Sequence, residues 1–141
     1  MRSRNRAFTL IELMIVVAVI AIVAAIAIPS LMNARKAGNE ASAISSLRTL
    51  VTVSEQYRTR FQSYPAAMTE LESAGYVDEV LGSSVKSGYD FFYGGGAAVW
   101  LCLANPRFPG TTGDRYFFVD QTGVLRFSSS GPASSASPPL D

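Results

Sequence analysis

The chain has 141 residues, 48% of them hydrophobic, and a formal net charge of +1. It contains no histidine and a single cysteine, which excludes His-based catalytic triads and an intrachain disulfide. We therefore predict that the protein is not an enzyme, and we assign it no cofactor, catalytic residue or metal ligand. The near-neutral charge also argues against a globally basic nucleic-acid-binding protein.

Residues 1–7 form a short basic segment ahead of a long apolar run. Arg2, Arg4 and Arg6 all lie in it, so the remaining chain carries two more acidic than basic side chains. Positive charges beside an apolar run keep that end of the chain in the cytoplasm. The sequence thus predicts a single-pass membrane protein with a cytoplasmic N-terminus.

Residues 8–28 are apolar almost throughout, with one acid, Glu12. About 20 helical residues span roughly 30 Å, the thickness of the hydrocarbon core of a bilayer. A carboxylate in that core costs about 2.5–3.5 kcal/mol on insertion scales. Two explanations of Glu12 stay open: it reaches the nearby surface or is protonated, or it pairs with a cation of a neighbouring subunit.

An ordinary secretory signal peptide is the alternative for this run. The sequence Ala-Ile-Ala at residues 25–27 fits a signal-peptidase site. The run is longer than a usual signal-peptide core and contains Glu12, so we favour a spanning helix. The corresponding functional alternative is a secreted or membrane-anchored binding domain that does not polymerise.

Residues 6–14, Arg-Ala-Phe-Thr-Leu-Ile-Glu-Leu-Met, resemble the N-terminal signature of type IV pilins and of type II secretion pseudopilins. The resemblance implies a prepilin whose leader is cleaved between Ala7 and Phe8 and whose new N-terminus, Phe8, is methylated. It also implies assembly roles for Glu12 and for Pro29, a helix-kinking proline. Ala7 stands where the family nearly always has glycine.

The same resemblance implies a structural subunit of a type IV pilus-like filament, or fimbrium, serving adhesion, motility or DNA uptake. The implied partners are further copies of the chain, a prepilin peptidase and inner-membrane assembly machinery. The implied location is the inner membrane before assembly and an extracellular or periplasmic filament afterwards. The alternative within the family is a pseudopilin of a type II secretion system.

Residues 8–34 are the predicted transmembrane and assembly segment. The helix is predicted to continue through residues 35–61 as an amphipathic helix, with a bend at Pro29. Apolar residues recur there at three- and four-residue steps: Ile44, Leu47, Leu50, Val51, Tyr57 and Phe61. Pro65 predicts the end of the helix, because the residue before a proline avoids the α region.

Residues 62–127 predict a loop and an antiparallel sheet of about four strands, centred on residues 90–93, 98–103, 116–119 and 124–127. The apolar stripe of the helix would cover one sheet face, giving an α+β, pilin-like fold. Residues 77–87 are predicted to form an irregular loop, and the glycines at 94–96 are predicted to form a hairpin turn. Cys102 is predicted to lie in the core. Residues 128–141, rich in Ser and Pro, predict a disordered tail.

Two further patterns could carry other chemistry. Asp114 and Asp120 resemble candidate calcium ligands, but their spacing is not that of an EF-hand and surface acids explain them better. Arg107, Arg115 and Arg126 each precede an aromatic residue, a pattern that can hold single-stranded nucleic acid. Neighbours in a strand point to opposite faces, so we favour simple amphipathic alternation over a nucleic-acid partner.

Overall fold

A computed structural model describes residues 8–140. The predicted leader, with Ala7, lies outside the described residues. One helix, α1 (Leu10–Phe61), runs for 52 residues and contains Pro29. The chain divides after Ala34 into two compact units. The prediction of one long helix that continues past Pro29 is confirmed.

In the first unit, residues 8–34, nearly every side chain is exposed although nearly all are apolar. By length and composition α1 could cross a membrane, a property that a signal sequence near the N-terminus shares. No proline interrupts the helix before Pro29. A helix that is apolar on all sides is stable in lipid or among other apolar helices, and unstable alone in water.

The second unit, from Arg35 onward, contains the rest of α1, two short helices and one antiparallel sheet. The short helices are α2 (Met68–Ser73) and α3 (Glu79–Gly82). The strands, paired in chain order, are β1 (Val85–Lys86), β2 (Tyr89–Gly95), β3 (Trp100–Pro106), β4 (Tyr116–Asp120) and β5 (Arg126–Ser128). The predicted α+β class is confirmed, with five strands instead of about four.

The region predicted as an irregular loop, residues 77–87, contains α3 and β1. The Asp78 side chain caps α3 by accepting a hydrogen bond from Leu81 N at 2.9 Å, and Leu81 is buried. β1 has two residues and pairs with the start of β2. Elements this short give no periodicity that a sequence pattern can register.

The predicted end of the long helix is confirmed. Gln62, directly after α1, adopts a left-handed backbone with φ of 61°. Tyr64 is buried two residues later, where its hydroxyl donates to Glu55 Oε1 at 2.6 Å and accepts from Arg58 Nη1 at 3.0 Å. These bonds fix the chain against the last turns of α1 as it turns toward the sheet.

The core lies between one face of the sheet and residues 43–54 of α1. Strand β3 alternates between buried and less buried positions, with Trp100, Cys102 and Ala104 inward. From α1, Leu47 and Leu50 are fully buried in the same cluster. The prediction that the helix stripe covers the sheet is confirmed for Leu47 and Leu50, whereas Phe61 at the end of the predicted stripe is exposed. Cys102 is a core residue as predicted, and burial raises the pKa of its thiol.

Two of the three glycines that were predicted to form a turn are instead the last two residues of β2. Gly95 pairs with Trp100, and a Cβ at position 95 would collide with the backbone oxygen of Pro65. Tyr64 N also donates to Gly96 O at 3.0 Å. The backbone after α1 thus passes so close to β2 that only glycine fits at position 95.

The C-terminal segment differs from the predicted disordered tail. Phe127 N donates to Pro138 O at 3.1 Å, and Leu140 N donates to Leu125 O at 2.8 Å. Arg126 Nη1 donates to Ser137 O at 2.8 Å, and Ala133 is buried. The segment therefore returns to pair with the edge of β5, a backbone interaction that its polar composition does not reveal.

A buried carboxylate fixes the loop between β3 and β4 to α1. Glu40 Oε1 accepts from Asp114 N at 2.9 Å and Arg115 N at 3.2 Å, and Oε2 accepts from Arg115 Nε at 2.7 Å. Lys36 Nζ lies 2.9 Å from Asp114 Oδ2, and Asn39 Nδ2 donates to Thr112 O at 2.9 Å. Three side chains within five residues of α1 thus hold this loop.

Replacing Glu40 with alanine is expected to lower the free energy of unfolding by about 3 kcal/mol. Removing one partner of a buried ion pair typically costs 3–5 kcal/mol, and the Arg115 side chain, 37% exposed, can still reach water, which places the loss at the lower end. Urea denaturation measures it. Lys36→Ala, which breaks the more exposed pair with Asp114, is the control and should cost at most about 1 kcal/mol. Equal losses in the two variants would contradict a special role for Glu40.

Candidate functional site: the N-terminal assembly segment

Thr9 and Glu12 bond to one another at the start of α1. Thr9 N and Thr9 Oγ1 each donate to Glu12 Oε2 at 2.8 Å, and Glu12 N donates to Thr9 Oγ1 at 3.3 Å. A threonine before the helix and a glutamate three residues later form a capping box, which satisfies backbone N–H groups that the first turn leaves free. This pair begins the helix, and the spacing of residues 9 and 12 could have predicted it.

The capping box does not neutralise the carboxylate. Residues 8–34 contain no lysine or arginine, and Glu12 is exposed along with the apolar side chains around it. Every hydrogen bond that Glu12 accepts within the described chain comes from Thr9. A negative charge in an apolar segment without a cation of its own needs a partner from elsewhere, or water.

Small side chains make part of this helix surface concave. Leu13, Met14, Val17, Ala18 and Ala21 line a shallow apolar groove. Alanines allow the backbones of neighbouring helices to approach closely, which increases van der Waals contact in an apolar environment. The groove begins at the residue after Glu12 and extends about two and a half turns along the helix, so close packing and the charge occur in the same part of α1.

Pro29 lies inside α1 near the end of the apolar segment, and it is exposed. Proline has no N–H to donate to the carbonyl of Ala25, and its ring crowds that carbonyl. The chain nevertheless remains helical on both sides. Pro29 therefore weakens the helix ladder at one position without ending the helix.

Comparison with known proteins identifies this segment. A family model described as the prokaryotic N-terminal methylation motif matches residues 2–28. The type IV wide pilus major component PilA4 of Thermus thermophilus is 43% identical to this chain over 70 residues. The chain therefore carries the prepilin-type N-terminal motif and is similar to a type IV pilin over about half of its length. The alignment covers 50% of this chain and 53% of the relative, so the chain spans about half the length of the protein it matches.

Asp114 and Asp120, the acids considered as calcium ligands, make other contacts in the described structure. Asp120 Oδ1 accepts from Thr122 N at 2.9 Å and from Thr122 Oγ1 at 2.6 Å, which closes the turn after β4. Asp114 pairs with Lys36. Among residues 8–140, no three metal-binding side chains of the His, Cys, Asp or Glu type come together. The preference for surface and turn acids therefore agrees with the contacts that these two residues make.

The three arginines beside aromatics are also engaged within the domain. Arg115 bonds Glu40 and lies over the rings of Phe117 and Phe127, with its Cζ 5.5 and 5.8 Å from their centroids. Arg126 donates to Ser137 O. Arg107 Nε lies 4.0 Å from Asp90 Oδ1 and its side chain is half exposed. All three cations thus have partners inside the fold, although the Arg107 pair is at the limit of ion-pair distance.

Proposed function

We propose that this protein is a structural subunit of a type IV pilus-like filament that assembles through residues 8–34. The observation that carries the proposal is the exposed Glu12 in an apolar segment, residues 8–34, that contains no lysine or arginine. Such a helix is stable in a bilayer before assembly and in a bundle of identical helices afterwards. The match to the methylation motif and the similarity to PilA4 support the same function.

The missing cation would be created by processing. Cleavage between Ala7 and Phe8 gives Phe8 a free α-amine, whose reference pKa is close to 8, so it is largely cationic at neutral pH. In its own chain the Glu12 carboxylate is bonded to Thr9. Between staggered chains, the amine of one subunit can meet the carboxylate of the next and remove an unpaired charge from the filament core.

The proposal includes the route to the filament. The precursor sits in the inner membrane with its N-terminus in the cytoplasm, where a prepilin peptidase cuts it and methylates Phe8. Inner-membrane machinery then moves the subunit into an extracellular or periplasmic filament. We propose adhesion or motility as the role of the filament in preference to DNA uptake, because the side chains of Arg115 and Arg126 are already bonded inside the domain.

A pseudopilin of a type II secretion system is the alternative. It shares the leader, the apolar helix and the sheet domain, so the two differ in the machine that assembles them. Deletion of the gene separates them, since loss of surface filaments indicates a pilin and loss of protein secretion indicates a pseudopilin.

Processing supplies the direct test. The mature chain is expected to begin with N-methylated Phe8, and mass spectrometry of the membrane fraction should find that N-terminal peptide. An Ala7→Gly variant, which restores the residue usual in the family, is the control and should be processed at least as completely. A mature chain that begins at Ile28, after the Ala-Ile-Ala sequence, would instead show an ordinary secreted protein.

A further inference from the structure

The loop of residues 107–115, here the Phe108 loop, presents an aromatic side chain to solvent on a rigid backbone. Phe108 is 61% exposed. Its carbonyl accepts from Thr111 N and Thr112 N at 2.9 Å, and its N–H donates to Thr112 Oγ1 at 3.1 Å. Pro106 and Pro109 flank it. The backbone of the loop is thus ordered by its own hydrogen bonds, yet the side chain of Phe108 remains outside the core.

The loop is fixed from two sides at one end of the globular unit. Lys36, Asn39 and Glu40 hold it to α1, as described above. On the other side, Arg107 N donates to Gly88 O at 2.9 Å, in the turn between β1 and β2. Phe108 therefore keeps a constant position relative to the first residues of the globular unit.

Those first residues directly follow the apolar run in the chain. Seven residue steps separate Ile28 from Arg35, which amounts to about 10 Å as a helix. Even a fully extended connection would reach only about 25 Å. The interfacial layer on each side of a bilayer is about 5–8 Å thick. The length of the connection thus limits how far the first residues of the globular unit can lie from the bilayer surface while the chain is anchored.

Charge is also distributed unevenly in the globular unit. The end with the Phe108 loop carries five cations, Arg35, Lys36, Lys86, Arg107 and Arg115, and three carboxylates, Glu40, Asp90 and Asp114. The rest of residues 35–140 carries four cations and six carboxylates. A cationic end beside an exposed phenylalanine matches the composition of protein surfaces that lie in the membrane interface, where apolar side chains such as Phe enter the boundary between headgroups and acyl chains and basic residues attract anionic lipids.

We infer that the Phe108 loop docks on the anionic lipid surface of the membrane that anchors the unassembled subunit. Phe108 inserts at headgroup level, and Arg35 and the half-exposed Arg107 lie against lipid phosphates. The docked loop holds the globular unit at a defined height before assembly and must be released when the subunit leaves the bilayer. This inference rests on the proposed membrane-anchored state and adds a second, reversible contact to it.

The test uses the full chain in vesicles of phosphatidylethanolamine and phosphatidylglycerol, with brominated acyl chains as fluorescence quenchers. A Phe108→Trp variant is compared with Phe61→Trp, which places tryptophan at an exposed aromatic position at the far end of α1. Lys36 and Phe61 are 25 residues apart, about 37 Å along the helix. Trp100 is buried in both proteins and contributes the same background.

The expected result is that brominated lipid removes a larger fraction of the emission of Phe108→Trp than of Phe61→Trp. The difference should shrink in vesicles of phosphatidylcholine alone and at high salt, because screening weakens the attraction between cations and lipid phosphates. Equal quenching of the two variants would overturn lipid docking. Protection of position 108 in assembled filaments, without quenching in vesicles, would assign Phe108 to a contact with a neighbouring subunit instead.

Flotation of the same vesicles separates the inference from the function on which it rests. Protein that floats without selective quenching at position 108 contradicts docking and leaves the anchored subunit intact. Protein that fails to float contradicts the anchored state, and lipid docking with it. Circular dichroism of both variants confirms that they are folded, as expected for substitutions of exposed side chains.

Discussion

A Leu47→Ala variant is expected to lose about 2–5 kcal/mol of unfolding free energy, because a buried leucine loses its transfer free energy and leaves a cavity behind. Leu47 has no exposed surface and belongs to the cluster that joins α1 to the sheet. The measurement is urea denaturation of the fragment 35–141. This fragment is expected to be soluble, monomeric and cooperatively folded, since the buried hydrophobic residues begin at Ala43.

The control for Leu47 is Gln56→Ala, an exposed position of the same helix. Surface substitutions of this kind usually change stability by less than about 0.5 kcal/mol. If Leu47→Ala also changed stability by less than half a kcal/mol, residues 43–54 would not pack on the sheet in solution. A non-cooperative transition of the unsubstituted fragment would show that the globular unit needs the apolar segment to fold.

Periodicity predicted most of the fold correctly. The apolar run before Pro29 and the stripe through Leu47 and Leu50 required one long helix, and the structure has α1 over both. The alternation around Cys102 required a strand with that side chain inward, and β3 provides it. These patterns are long enough to determine both the type of element and the face that is buried.

The remaining features depend on contacts between residues distant in sequence. The local sequence around Gly95 predicts a turn. Only the close approach of the Pro65 carbonyl explains why a glycine is found at this position in β2. The composition of the C-terminal segment predicts disorder because it has few apolar residues, whereas Phe127 N and Leu125 O form hydrogen bonds with its backbone. Glu40 gave no signal, because its partners Asp114 and Arg115 lie more than 70 residues away. Composition contains no information on such pairings.

The candidate site was easier to predict than its geometry. Residues 6–14 were sufficient to identify the type of segment, because an acid near the start of an apolar helix is rare. The role of Thr9 was missed, although its spacing from Glu12 is that of a capping box. The structure therefore gives Glu12 two separable functions, a local one through its bonds to Thr9 and a proposed one through its charge. Two substitutions can separate these functions.

Glu12→Gln is expected to abolish or sharply reduce filaments while membrane insertion stays intact or improves. Glutamine retains the capping box, since its amide oxygen can accept from Thr9 N, but it has no charge to offer the α-amine of a neighbouring Phe8. Uncompensated, that amine would be buried in an apolar filament core, at a typical cost of about 3–5 kcal/mol for each subunit. The measurement compares subunit in sedimented filaments with subunit in the membrane fraction.

Thr9→Val is the matched control, because it removes the hydroxyl that bonds Glu12 and keeps the carboxylate. Losing the side-chain half of a capping box costs about 1 kcal/mol of helix stability, which an apolar helix in lipid tolerates. Thr9→Val should therefore form filaments at nearly the normal yield, and Glu12→Leu should behave like Glu12→Gln. The opposite order, with filaments from Glu12→Gln and none from Thr9→Val, would mean that Glu12 serves to begin the helix and that its charge is not needed for assembly.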